Sequence, residues 1–346
     1  MFFLLYYVFD FTYSFVKIHE MEKKYLGKTG IAVTPVGMGV LTIGHTQLDC
    51  PPDEGAAIVR HAIECGINFF DTAEFYQTYH YIDQAMKDLK SSFDSGALPR
   101  PVIASKSLAC SYKEMQKAIE DCRAALDIDT IEIFLLHELM EEPDFEHRIG
   151  AWECLHDAKA KGQVRAIGIS THHADVALTA AGTPGMDIIF PLINYKGFGI
   201  RSGDGEGTRE EMEGAIKAAA ERGIGVFAMK VLCGGNFAAE YIEALDYAAA
   251  LDGVQSIMLG MGCKRDVDDA VRYFSGSMPN DYKPDVDNKR MSIDKSDCIG
   301  CGACINKCTS NAISNDKTGS AEINTEKCIQ CGYCVPVCPT RALIFL

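Results

Sequence analysis

The chain has 346 residues, of which 47% are hydrophobic and 23% charged, with fifteen cysteines and a formal net charge of −15. That is enough apolar material for a barrel-sized core plus a short second domain, and it excludes a disordered chain. The acidic balance argues against nucleic acid as a partner, since a phosphate-binding face needs clustered Lys and Arg.

Residues 1–20 open on an aromatic run from Phe2 to Phe9, broken by Asp10, Thr12 and Ser14. The run is too short to span a bilayer as a helix. It lacks the basic start and small-residue cleavage site of a secretory signal. From Met21 the sequence "MEKKYLGKTG" reads as an ordinary protein start. Residues 1–20 are therefore expected to be a mis-called extension, with a membrane anchor or a genuine packing arm as the alternatives, and a cytoplasmic protein is expected. The next stretch, "KKYLGKTGIAVTPVG", reads as a hairpin with Gly30 near its turn, placed to cover the bottom of whatever follows.

From Val36 to about Phe274, short apolar runs alternate with amphipathic stretches. The runs are "PVGMGV", "INFFD", "PVIAS", "IEIFLLH", "VRAIGIS", "DIIFPLIN", "IGVFAMK" and "VQSIMLG". Between them, "DEGAAIVRHAIECG" and "SYKEMQKAIEDCRAAL" carry apolar residues at i, i+3 and i+4, with Asp53 and Ser111 as expected caps. Eight strand-helix units predict a (β/α)8 barrel over residues 21–274. A doubly wound sheet would show fewer strands and an early G-x-G-x-x-G turn, which is absent here.

Barrel sites form where strands end. Asp71 ends the second run, with Tyr76 just beyond it; Lys106 ends the third and His137 the fourth. Tyrosine ionises near pH ~10, and a neighbouring ammonium would favour its phenolate. An aspartate can hold the ammonium, and a histidine can orient a substrate oxygen. The set suits moving one proton onto or off a carbonyl or alcohol oxygen. Hydride must come from a cofactor.

With Asp71, Tyr76, Lys106 and His137 in the order Asp-Thr-Ala-x-x-Tyr, Lys, His, residues 24–274 resemble an aldo-keto reductase. The resemblance implies Tyr76 as general acid, Lys106 tuning it, Asp71 paired with Lys106 and His137 positioning the substrate. It also implies NADP or NAD, bound without a Rossmann fold. Ser170 and Asn194 stand at cofactor-contacting positions. Lys230 lies in "MKVLCGG" (Met229 to Gly235), which resembles a pyrophosphate loop. Gly260, Lys264 and Arg265 belong to a phosphate-binding segment, either cation serving a 2′-phosphate. The pattern departs at Thr171, Phe190, Ile193, Gly262 and Ala270. His172 and His173 are expected in a loop near the cofactor or in solvent. His45 is a candidate substrate contact, and Asp266 to Asp269 read as a solvated helix start.

Residues 275–292 are polar and contain proline, as a linker would. Then C-x2-C-x2-C-x3-C occurs twice, at Cys298, Cys301, Cys304, Cys308 and again at Cys328, Cys331, Cys334, Cys338. "NAI" at 311–313 matches "RAL" at 341–343, so the segment is duplicated. Cys50, Cys65, Cys110, Cys122, Cys154, Cys233 and Cys263 are scattered. Four thiolates per run on short loops suit iron-sulfur cubes, whereas zinc sites usually use two C-x2-C pairs. Residues 293–346 resemble a bacterial-type ferredoxin domain, a small α+β unit with two 4Fe-4S clusters. Thr309 replaces a proline of that family that supplies no ligand. In the two-cluster arrangement the fourth cysteine of each run ligates the other cluster. Cys298, Cys301, Cys304 and Cys338 would then hold one, and Cys328, Cys331, Cys334 and Cys308 the other.

The expected protein is an NAD(P)H-dependent oxidoreductase of small carbonyls or alcohols, with clusters that relay electrons to a redox partner protein or sense redox state. The alternative is an electron-transfer or redox-sensing protein whose barrel no longer reduces carbonyls.

Overall fold

Eight parallel strands close on themselves: β1 (Val36–Gly39), β2 (Phe69–Asp71), β3 (Val102–Ser107), β4 (Ile131–Leu136), β5 (Val164–Thr171), β6 (Ile188–Pro191), β7 (Gly225–Ala228) and β8 (Ser256–Gly260). β8 pairs back onto β1, with Ile257 opposite Val36. The structure, a computed structural model, describes residues 21–140, 142–287 and 289–346, so the expected extension at 1–20 lies outside it. Each strand is buried on both faces, which explains why the runs read as continuously apolar rather than alternating. In β4, Ile133 and Leu135 belong to the cluster inside the barrel, while Phe134 and Leu136, on the opposite face, join the cluster packed against the helices. Inside, Phe190 stacks on Phe227 at 4.1 Å and Phe69 meets the same ring edge-on.

The expected hairpin pairs Lys24–Tyr25 with Ala32–Val33, and Gly30 turns at φ 70°. Leu26, Ile31 and Val33 join the interior cluster and plug the barrel's lower end. Gly27 must be glycine: it is left-handed, and a Cβ would collide with Gly223.

Among the described residues, eight helices of nine residues or more pack around the barrel: α1 (Pro52–Glu64), α2 (Tyr79–Asp88), α3 (Tyr112–Leu126), α4 (Ile149–Ala160), α5 (Ala174–Gly182), α6 (Arg209–Glu221), α7 (Tyr241–Ala250) and α8 (Lys264–Phe274). Ser111 caps α3 as expected, in a reciprocal box with Glu114. Asp53 does not cap α1. Pro52, with its φ preset for a helix, begins the helix one residue earlier and leaves Asp53 in the first turn. The acidic start of α8 is not simply solvated either. Asp266 accepts from the Gly262 amide, and buried Asp269 accepts from Tyr282 and Arg272.

The segment after α8 is no free linker. Tyr282 and Asp285 tie it to Asp269 and Arg265. In the tail, β9 (Met291–Ile293) pairs antiparallel with β12 (Leu343–Phe345), and β10 (Ile313–Asn315) with β11 (Ala321–Ile323). This tail sits on the barrel at the strands' C-terminal ends. Phe345 donates its amide to Gly234, Asn236 donates to the Leu343 carbonyl at 2.9 Å, and Gln47 donates to Asp294 at 2.8 Å. Among the described residues no helix is long and apolar enough to cross a membrane.

Candidate active site

Strand ends bring the four predicted side chains together. Lys106, fully buried on β3, donates to both oxygens of Asp71 on β2 at 2.7 and 2.8 Å and to the Thr72 carbonyl at 2.8 Å. All three ammonium protons are therefore used. The ammonium stands 4.7 Å from the centroid of the Tyr76 ring and 5.4 Å from that of Phe190. It faces the aromatic π-clouds rather than the phenol oxygen. Burial pushes Lys106 down against the pull of Asp71, and pushes Asp71 up against the pull of Lys106.

Tyr76, half-buried, instead shares a hydrogen bond with His137, hydroxyl to Nε2 at 3.3 Å. The expectation that Lys106 draws the phenol toward phenolate is not what the geometry gives. Burial, with Asp71, Asp297, Glu138 and Asp294 adding negative charge, raises Tyr76 well above the ordinary phenol value. His137 is pushed far below its ordinary value by burial and by Lys106, His172 and Arg148. The pair is thus a neutral phenol on a neutral imidazole, a proton donor with a partner able to orient it.

Four residues that the sequence did not single out also contribute. Arg148 is buried and donates to the carbonyls of His137, Ser107 and Ala109, fixing the loops behind the site. Asp294 and Asp297 of the tail lie close enough to act electrostatically on Tyr76. Arg341 of the tail bonds His172 and the Gly199 carbonyl. His172 lies 3.5 Å from Glu138 and is largely covered rather than in open solvent. His45 is exposed.

The residues assigned to a nicotinamide dinucleotide are largely occupied by the chain itself. Ser170 accepts from the Glu138 amide, and Asn194 spends both ends of its amide on the Phe198 backbone. Phe190 and Ile193 are buried. β12 lies across the glycines of the Met229–Gly235 loop, where a Cβ on Gly235 would collide with the Phe345 carbonyl. Thr42 packs on Gly260, Arg265 is paired with Asp285 at 2.6 Å, and Lys264 is exposed. A dinucleotide spread along these loops does not fit this arrangement. Lys230 lines a cleft shared with the tail.

The tail's cysteines fit iron-sulfur cubes. Cys298, Cys301, Cys304 and Cys338 line one small pocket, the grouping expected from crossed ligation. Cys334 feels the charges of Cys328 and Cys331. Backbone amides of Ala321, Ala312 and Ala342 point at the sulfurs of Cys298, Cys308 and Cys338 at 3.2–3.3 Å. A single zinc ion would draw sulfurs far closer together than a cube does. Among the described residues only His61, Cys65 and Asp268 bring three potential ligand atoms within 4.8 Å of one another.

Comparison with known proteins agrees with this division. Residues 35–250 match the aldo/keto reductase family model, and residues 291–346 match a 4Fe-4S dicluster domain. The chain is 30% identical over 162 residues to 6-dehydroglucose reductase of Novosphingobium aromaticivorans, covering 43% of this chain and 51% of the relative. It is 27% identical over 188 residues to L-galactose dehydrogenase of Arabidopsis thaliana, covering 51% and 57%. The chain thus spans about half the length of these relatives. A Bombyx mori aldo-keto reductase solved with NADP superposes with TM-score 0.56 at 17% identity, over 76% of this chain and 89% of that one. At such identity the likeness carries the fold alone. The family match extends over more than half the chain and lies on the barrel that holds the Tyr76–His137 pair, and the chain therefore belongs to the aldo/keto reductase family.

Proposed function

We infer that the protein is an oxidoreductase interconverting a small carbonyl compound and its alcohol at the barrel mouth, with two 4Fe-4S clusters in the tail exchanging electrons with a redox partner. The observation that carries this is the Tyr76–His137 hydrogen bond above the buried Lys106–Asp71 pair, at the face the cluster-bearing tail covers. Tyr76 donates its proton to the carbonyl oxygen, and His137 holds the phenol and the substrate oxygen in line. Lys106, locked by Asp71, stands under the Tyr76 ring and holds the floor of the site in place. Cys298, Cys301, Cys304 and Cys338 would hold one cluster, and Cys328, Cys331, Cys334 and Cys308 the other. Reduction of a carbonyl to its alcohol takes two electrons and two protons: Tyr76 supplies the proton on oxygen, and the hydrogen on carbon would come as hydride from a two-electron donor, which clusters that carry one electron at a time would replenish. NADP or NAD is the reductant suggested by family likeness. β12 covers the loop that would hold the pyrophosphate of either.

The test is anaerobic turnover of a carbonyl panel by the full chain, with a reduced viologen or NADPH as electron source, beside Tyr76→Phe. Tyr76→Phe is expected to lower kcat by about 10²–10⁴-fold with cluster content unchanged. Equal turnover by Tyr76→Phe and wild type would favour the alternative, a redox module whose barrel performs no carbonyl chemistry.

A further inference from the structure

Between barrel and tail lies a cleft of about 500 Å³, a volume that suits a small cofactor. One side is formed by the segment from Gly197 to Gly207 and by Lys230; the other by Val335 to Arg341 of the tail. Its charge runs against that of the molecule. The chain carries −15, yet Arg201, Lys230 and Arg341 line the cleft with Glu206 as the one acid.

Those cations have capacity to spare. The Lys230 ammonium makes no hydrogen bond or ion pair among the described residues, and its backbone, whose carbonyl accepts from the Cys233 amide, is left-handed at φ 58°. Arg201 gives one N–H to the Asp204 carbonyl at 3.0 Å. Arg341 uses its terminal nitrogens on Gly199 and His172, while its Nε is buried without a partner. Buried donors without acceptors are costly unless something fills the gap. Two guanidinium forks and an ammonium around one space match a phosphate. Phe198, Val337 and Pro339 supply flat apolar surface beside them.

The location adds redox character. Cys338 lines this cleft and also the pocket of Cys298, Cys301 and Cys304. An occupant would therefore lie against a cluster ligand. Tyr76 and His137 do not line the cleft, but Arg341, which does, contacts His172. Carbonyl chemistry moves two electrons and a cluster moves one, so a group that accepts pairs and releases single electrons belongs between them.

We propose that the cleft binds a planar redox cofactor of mononucleotide size, a flavin monophosphate in chemical class, with its phosphate held by Lys230, Arg201 and Arg341. This rests on the reading of Cys338 as a cluster ligand and of the barrel as a carbonyl oxidoreductase.

Full-length protein with intact clusters, purified anaerobically, is titrated with flavin mononucleotide and followed by flavin fluorescence. Riboflavin, which lacks the phosphate, and NADPH are run in parallel. Saturable quenching is expected, with riboflavin weaker by about tenfold or more. Lys230→Met and Arg201→Gln are each expected to weaken the mononucleotide about tenfold while leaving the cluster absorption unchanged. Equal affinity for riboflavin and the mononucleotide, or no saturation, would overturn the proposal. So would tighter NADPH binding that the same variants weaken, because the cleft would then belong to the dinucleotide. Carbonyl turnover without bound flavin, abolished by Tyr76→Phe, would remove this inference and leave the proposed function standing.

Discussion

His137 and His172 both sit where protonation is penalised. Burial comes first in each case, reinforced by Lys106, His172 and Arg148 around His137 and by Arg341, Lys230 and His173 around His172. Their folded values lie well below the unfolded value near ~6.5, so between the two the native state binds fewer protons than the unfolded chain. Stability from these groups is present above pH ~6.5 and is lost as pH falls below it, by up to about 1.4 kcal/mol per unit for each histidine. Asp297, whose carboxyl burial pushes up, works in the opposite sense at lower pH. Anaerobic urea unfolding at two pH values, one above and one below that point, reads the slope. His137→Gln is expected to flatten it by one histidine's share, and an unaltered slope would show that His137 takes up its proton without penalty in the fold. At this scale the sequence pointed to a group of side chains that the fold brings together, but not to their electrostatics. Residue types at strand ends were enough to find Asp71, Tyr76, Lys106 and His137. They could not show that Lys106 would spend all three protons below the ring, because that depends on side-chain direction. Arg148 carried no signal: an arginine ahead of a helix reads as solvated until its three carbonyl partners are seen.

Elements were legible wherever a local rule decides them. The eight apolar runs became eight barrel strands because a parallel strand buried on both faces has no polar alternation to confuse with a helix. Caps depend on finer detail. Ser111 met its box because Glu114 follows three residues later, while Asp53 was displaced by Pro52, which fixes the helix start by itself. The box closing α3 is testable alone. Ser111 accepts from the Glu114 amide, and Glu114 accepts from the Ser111 amide at 2.9 Å. Ser111→Ala should lower unfolding free energy by about 1 kcal/mol, measured by denaturant titration, with carbonyl turnover unchanged since α3 lies outside the site. A change of only a few tenths of a kcal/mol would mean that water substitutes for the hydroxyl at this exposed end. The polar stretch after α8 misled for a related reason. Composition marks it as a linker, but Tyr282 and Asp285 happen to meet acceptors and donors on a helix already in place.

At the scale of the whole molecule, the duplicated cysteine runs pointed to iron-sulfur ligation, but not to a tail that closes the barrel mouth. One departure from the repeat did carry that information. Asn311 and Arg341 occupy equivalent places, and both have left-handed backbones, φ 51° and 61°. Asparagine takes that conformation readily; arginine has no such local preference. Arginine stands at the second site because its side chain reaches His172 and Gly199 of the barrel. Docking and ligation therefore meet at residues 338–341, which makes the ligation pattern worth testing across the repeat. Cys338 lies in the second run but lines the pocket of the first three cysteines. Under crossed ligation, Cys298→Ala and Cys338→Ala damage the same cluster. The double variant should then lose no more iron than either single one, about four atoms per chain. Cys328→Ala combined with Cys338→Ala should lose nearly all of it. Ligation confined within each run predicts the reverse: Cys298→Ala with Cys338→Ala would empty both sites, and Cys328→Ala with Cys338→Ala only one. Iron analysis and low-temperature EPR of the three single and two double variants separate the two patterns, because non-additivity appears only in the pair that shares a cluster.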